Sequence, residues 1–178
     1  MKRTWLACLM AMLPAVALPP AAHAAKSDSC AHCHGTDGNS SSSAYPSLAG
    51  QTKAYLFKQI KAFKDGERKN SMMSPAAAVL SEQEMMDLAE YFNSQTLVRS
   101  SANTDPALVA EGKKLAEQRQ CASCHQPGMR GLDAFPRLSR QKYPYLVKQI
   151  KDFRDGARTN DGGVMLPNVK DLTDKQVE

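Results

Sequence analysis

An all-α fold in two tandem units is what this sequence predicts, and three observations carry the prediction. First, the stretch "YPSLAGQTKAYLFKQIKAFKDGERKN" (Tyr45 to Asn70) aligns without gaps on "FPRLSRQKYPYLVKQIKDFRDGARTN" (Phe135 to Asn160), with 14 of 26 positions identical. Second, the apolar residues inside each copy recur at helical spacing: Tyr55, Leu56, Ile60 and Phe63 in one, Tyr145, Leu146, Ile150 and Phe153 in the other. Third, no segment shows the period-two alternation of a half-buried strand. A repeat near ninety residues is too long for a solenoid, whose units run about 20–50 residues, and fits a duplicated domain.

The N-terminus stands apart. Lys2 and Arg3 precede an apolar run from Trp5 to Leu18, and Ala22-His23-Ala24 supplies the small-x-small pattern of a signal peptidase site, so residues 1–24 are expected to be a cleaved signal peptide. A membrane anchor is the rival, but the run holds Pro14 and falls short of the roughly 20 apolar residues a span needs. Cys8 lies inside this run and leaves with it. The first domain is then expected over residues 25–96 and a short polar linker over 97–104, "LVRSSANT". The second domain covers 105–178, opening with Asp105 as N-cap and Pro106 at the first helical position. That helix is expected to run into the second cysteine cluster. Ser81 with Glu84 forms a capping box ahead of the amphipathic "MMDLAEYF".

Composition excludes several classes. The formal charge of +5 falls to about +3 without Lys2 and Arg3, and acidic residues are spread throughout. Nucleic-acid binding wants a clustered basic face, which is not seen. No Gly-rich phosphate loop and no Ser/His/Asp pattern stands out.

Upstream of each copy sits a Cys-X-X-Cys-His cluster, "CAHCH" at Cys30 to His34 and "CASCH" at Cys121 to His125. Disulfides are the usual fate of an even cysteine count in a secreted protein. Zinc needs four ligands and would join residues of separate repeats while leaving both histidines surplus. A thioredoxin-like pair needs a βαβ setting that is absent. Covalent attachment of a c-type haem uses every residue of the motif, and does so twice: two thiols reach the two vinyl groups of a porphyrin, and the adjoining imidazole reaches the iron. Cys30, Cys33, Cys121 and Cys124 are then haem-binding, and His34 and His125 are axial ligands. His32, between the cysteines, reads as a solvent-facing filler.

The sixth iron ligand separates electron transfer from chemistry. Methionine there closes the coordination shell and raises the reduction potential. Met73 and Met165 occupy equivalent positions, each seven residues before a leucine (Leu80, Leu172) and each with a proline close behind (Pro75, Pro167). Met72 is the alternative in the first unit but breaks the register. Met85 and Met86 are read as core or surface residues, and Met129 follows its histidine too closely to reach the opposite haem face. Pro46 and Pro136 offer carbonyls to orient the ligand histidines. Arg68, Arg158, Tyr55 and Tyr145 are candidates for the haem propionates, with core packing the alternative for the tyrosines and a solvated surface for the arginines. The four propionates of two haems bring the mature net charge from about +3 to near neutral.

On these residues the chain resembles the cytochrome c4 family of di-haem class I c-type cytochromes. The matching segments are "CAHCHGTDGNS", the duplicated 26-residue block, "MSPAAAVLSEQEMMDLAEYF" and their counterparts in the second half. The resemblance implies two cytochrome c-like domains, each wrapped round one covalent haem and related by a pseudo-twofold axis. It implies a periplasmic carrier of single electrons, not an enzyme. Its expected donor is a quinol-oxidising cytochrome bc complex and its expected acceptor a terminal oxidase, commonly of the cbb3 type, compatible with peripheral membrane association. Two departures are visible. Only about five residues separate the expected cleavage site from Cys30, where the family has a helix. The second half ends at "DLTDKQVE", so the counterpart of Tyr91, the expected helix-crossing partner of Gly112, is not in the chain and the C-terminal helix is expected to be missing. The alternative function is the electron-transfer subunit of a periplasmic dehydrogenase, of the flavocytochrome c type. A di-haem peroxidase needs an open iron, which a methionine in each half argues against.

Overall fold

The computed structural model describes residues 22–98 and 105–178. Residues 1–21, most of the expected signal peptide, and 99–104 of the expected linker lie outside the described residues. The elements are α1 (Ala22–His34), α2 (Lys53–Lys64), α3 (Met73–Ala78) and α4 (Glu82–Ser94) in the first half. The second half holds α5 (Pro106–Gln118), α6 (Ala122–His125), α7 (Tyr143–Arg154), α8 (Leu166–Val169) and α9 (Asp174–Val177). Among the described residues the only β-type pairing is an isolated bridge, Leu132 with Phe135.

In the first half, α4 starts at the expected capping box: the Ser81 hydroxyl accepts from the Glu84 N–H, and the Glu84 carboxylate accepts from the Ser81 N–H at 2.8 Å. Its buried residues, Met85, Leu88, Ala89 and Phe92, form one helical stripe that packs on α2 and α1. Leu56, Leu88, Ala89 and Phe92 form the core cluster, with Cys30, Leu48 and Ile60 packed against it. Gly38 is required where it stands: a Cβ there would come within 2.7 Å of the Phe92 ring and 2.8 Å of the Ala49 nitrogen.

The second half repeats this plan with differences. Asp105 caps α5 as expected, its carboxylate accepting from the Ala107 N–H at 2.8 Å. The helix does not run into the cysteine cluster. It closes at Gln118 in a Schellman motif: Gln120 adopts a left-handed φ of 53°, its N–H bonds the Glu117 carbonyl, and the Cys121 N–H bonds the Ala116 carbonyl. In the first half α1 continues through its cluster, and it starts at Ala22, inside the segment expected to be cleaved. No residue of α5 is buried, and nothing lies within 4 Å of a Cβ built on Gly112. Thr173 and Gln176 repeat the capping box at the start of α9.

The turns behind the two histidines share a pair of backbone bonds. Leu48 and Ala49 donate to the Gly38 carbonyl, as Leu138 and Ser139 donate to that of Met129. Where the first half uses Gly35, Gly38 and Gly50 at positive φ, the second places Gln126 (67°), Met129 (54°) and Arg140 (63°). A left-handed conformation costs a non-glycine residue roughly 1–2 kcal/mol. Arg140→Gly is therefore expected to stabilise the second half by roughly 0.5–1 kcal/mol, net of glycine's extra backbone entropy. A calorimetric scan should show its transition moving up by a few degrees, and an unmoved transition would mean that the turn is not strained.

The halves dock through pairs of equivalent residues. Gln51 donates to the Arg137 carbonyl (2.9 Å) and accepts from the Arg137 N–H (2.7 Å). Its counterpart Gln141 does the same to Ser47, at 2.8 Å in both directions. Arg68 bonds Gln59 of its own half, and Tyr145 and Gln149 of the other. Arg158 in turn bonds Gln149, Tyr55 and Gln59. Each guanidinium also lies over a phenylalanine ring, Arg68 on Phe63 at 4.6 Å and Arg158 on Phe153 at 4.4 Å.

Candidate functional site

The first cluster occupies the last turns of α1. Cys30 and Cys33 are half-buried thiols outside any disulfide, and His34 is only 7% exposed. The His34 Nδ1 lies 2.8 Å from the Pro46 carbonyl oxygen, as expected of that proline. A carbonyl can only accept, so Nδ1 carries the proton and the Nε2 lone pair is left for a metal. Burial holds the imidazole below its ordinary pKa, against the opposing pull of the Pro46 carbonyl, and so keeps it in the neutral, ligating form. The Tyr45 ring stands edge-on to His34 with centroids 6.3 Å apart, and its hydroxyl donates to the Met72 sulfur at 3.8 Å. Tyr45 thereby ties the methionine turn to the histidine side of the domain.

The second cluster has the same design on α6. Cys121 and Cys124 are half-buried free thiols, His125 is 7% exposed, and its Nδ1 lies 3.0 Å from the Pro136 carbonyl oxygen. His32 is exposed, as a filler should be.

Two rival chemistries lose ground on geometry. Redox-active dithiols work through a depressed thiol pKa. Here burial pushes the Cys30 thiol up, its Ser29 hydrogen bond acting the other way, and burial likewise pushes up Cys121. Among the described residues no group of three or more His, Cys, Asp or Glu side chains is gathered to hold a bare metal ion.

Met73 opens α3 and is half-buried, whereas Met72 is 50% exposed. The Asn70 carboxamide oxygen fixes this turn, accepting from the N–H groups of Met72 (3.0 Å) and Met73 (2.9 Å). Met165, immediately before α8, is also half-buried, and its N–H donates to the Asp161 carboxylate at 2.5 Å. Met85 is buried in the α4 core and Met86 is on the surface.

The arginines are not the solvated surface residues that were one expectation for them. Arg158 is buried, Arg68 is half-buried, and both engage glutamines and tyrosines across the domain boundary. Sequence reasoning missed Gln51, Gln59, Gln141 and Gln149, which make this boundary. Their signal was identity between the two copies at polar positions, where solvent exposure alone would have let them drift.

The donor set in each half fits a covalent haem: paired thiols, a buried imidazole with one nitrogen free, and a half-buried thioether on a braced turn. A further observation supports the fit. The Arg137 Nε is buried without a hydrogen-bond partner, as an arginine would be beside an anionic group that the polypeptide does not itself supply.

Comparison with known proteins agrees. The Cytochrome c family model matches residues 21–96 and again 109–178. Cytochrome c4 of Pseudomonas aeruginosa is 43% identical over 155 residues, covering 82% of this chain and 76% of that protein. The crystal structure of reduced recombinant cytochrome c4 from Pseudomonas stutzeri superposes with a TM-score of 0.81 at 38% identity, covering 88% of this chain and 92% of that one. A thiosulfate dehydrogenase electron acceptor from Thiomonas intermedia is 36% identical over 164 residues, covering 84% of this chain and 74% of that protein. Two Cys-X-X-Cys-His sites, two all-α cytochrome c domains and these relatives together place the chain in the cytochrome c4 family, whose members are non-enzymatic electron carriers with two covalent haem c groups.

Proposed function

We propose that this protein carries single electrons through the periplasm, from a quinol-oxidising cytochrome bc complex to a terminal oxidase or another acceptor. Residues 1–24 act as its export signal, 25–96 and 105–178 as its two haem domains, and 97–104 as the connection. His34 with Met73, and His125 with Met165, are the axial pairs; Cys30, Cys33, Cys121 and Cys124 form the thioethers. The observation that carries this reading is the repeated bond from a buried ligand histidine to a proline carbonyl, which leaves Nε2 for iron in both halves.

Each haem, when bound, would supply a one-electron couple. The chain's own residues keep rearrangement small. Pro46 and Pro136 fix the imidazole planes and raise their basicity. Asn70 and Asp161 hold the backbone of the methionine turns.

Absorption spectroscopy of the redox-titrated holoprotein tests the assignment. Two haems per chain are expected, with the weak far-red band of ferric His/Met ligation. Met73→Ala and Met165→Ala should each remove about half of that band, since each closes one of two equivalent irons. A full band in Met73→Ala would reject Met73 as a ligand.

A second reading, electron acceptor for a periplasmic dehydrogenase, is favoured by the thiosulfate dehydrogenase electron acceptor among the relatives. Rapid reduction by purified thiosulfate dehydrogenase, or co-purification of a stoichiometric flavoprotein, would select it. Failure of both would leave the bc-to-oxidase role.

A further inference from the structure

Arg137 and Ser47 stand at the same place in the two halves. Each follows the proline whose carbonyl holds the ligand histidine, and each is clamped at its backbone N–H and C=O by a glutamine from the opposite half. The side chains differ completely. Ser47 is small, neutral and buried. Arg137 carries a full positive charge, and its buried Nε is, among the described residues, the only side-chain nitrogen or oxygen sealed from solvent without a partner. A buried donor left unpaired costs about 1–3 kcal/mol, more when charged, so such a group is kept where an anion meets it. The surroundings differ in the same sense. From Gln126 to Lys142 the chain carries Arg130, Arg137, Arg140 and Lys142 against Asp133 alone, while the matching stretch from Gly35 to Thr52 carries only Asp37.

We infer that Arg137 is the positioning residue that pairs with a carboxylate of the second haem, a role without a counterpart in the first half. This rests on the reading that both clusters carry haem. The clamp by Gln51 fixes where the side chain starts, and the planar guanidinium offers a carboxylate parallel N–H donors. Its charge offsets the carboxylate's, which favours the reduced iron over the oxidised one, whose positive charge is one unit greater. The second haem is thereby made easier to reduce, and the Ser47 site has no such help.

Potentiometric titration of the full-length holoprotein reads this directly, the midpoint of the second haem being the one that Met165→Ala displaces. Arg137→Gln is expected to weaken that haem's hold on its electron roughly tenfold, a fall of about 59 mV for a one-electron couple, and to leave the other midpoint in place. Arg137→Lys should restore most of the loss, which a merely structural role would not require. Ser47→Arg should raise the first haem's midpoint in mirror fashion. Unmoved midpoints in Arg137→Gln, with two haems still attached, would overturn the assignment of Arg137 alone. A wild-type protein with fewer than two haems would overturn the reading beneath it.

Discussion

Phe92→Ala is expected to destabilise the first domain by about 3–5 kcal/mol, the usual cost of deleting a buried aromatic ring. Phe92 is 2% exposed and is the largest fully buried side chain among the described residues. Its ring packs over Gly38, meets Tyr91 edge-on at 5.1 Å, and belongs to a core cluster of only four buried residues. A domain of this size holds on the order of 4–11 kcal/mol in total. The loss is therefore about a quarter or more of what keeps it folded. Denaturant titration followed through the haem absorption should show the first domain's midpoint falling with an unchanged slope. A loss below 1 kcal/mol would mean that contacts to the covalent haem, and not this ring, hold the domain together.

Arg158→Ala should have the second largest effect, about 3 kcal/mol, and it should fall on the coupling between the halves. The guanidinium donates to Asn160 (2.9 Å), Gln149 (2.6 Å), Tyr55 (3.1 Å) and Gln59 (2.7 Å) in a buried setting. Hydrogen bonds from a charged group contribute about 1.5–3 kcal/mol each in favourable cases, and the stack on Phe153 adds roughly 1 kcal/mol. Gln59 keeps its bonds from Arg68 and Asn160, which limits the loss. Calorimetry should then resolve two transitions where the wild type is expected to give overlapping ones. Arg158→Lys should not rescue, because an ammonium cannot span four acceptors arranged for a planar fork. Coincident transitions in the alanine variant would show that the halves are held by something else.

How far the sequence disclosed this protein follows from the kind of interaction involved. The cysteine clusters, the α2 and α7 stripes and the Ser81 capping box are local patterns, and all appear where they were read. The carbonyls of Pro46 and Pro136 were reachable because both prolines hold the same place in the duplicated block, 12 and 11 residues after their histidines. The end of α5 was not legible: its Schellman motif seats Gln120 where glycine is usual, so no punctuation marks it. Gln126, Met129 and Arg140 hide their turns in the same way, visible only by setting them against Gly35, Gly38 and Gly50. The domain boundary was harder still. Its residues are polar and hydrophilic in any scale, and only three-dimensional pairing reveals that Gln59 and Gln149 face each other's arginines.

That boundary is built from one set of positions used twice, with Gln51 answering Gln141 and Arg68 answering Arg158. A surface that recognises its own duplicate is what closes a pair of identical chains, so the fused molecule has the bonding logic of a homodimer joined by a tether. Such a join ties the fate of the copies together: a change at Gln59 is felt by arginines of both, and neither half is free to diverge there alone.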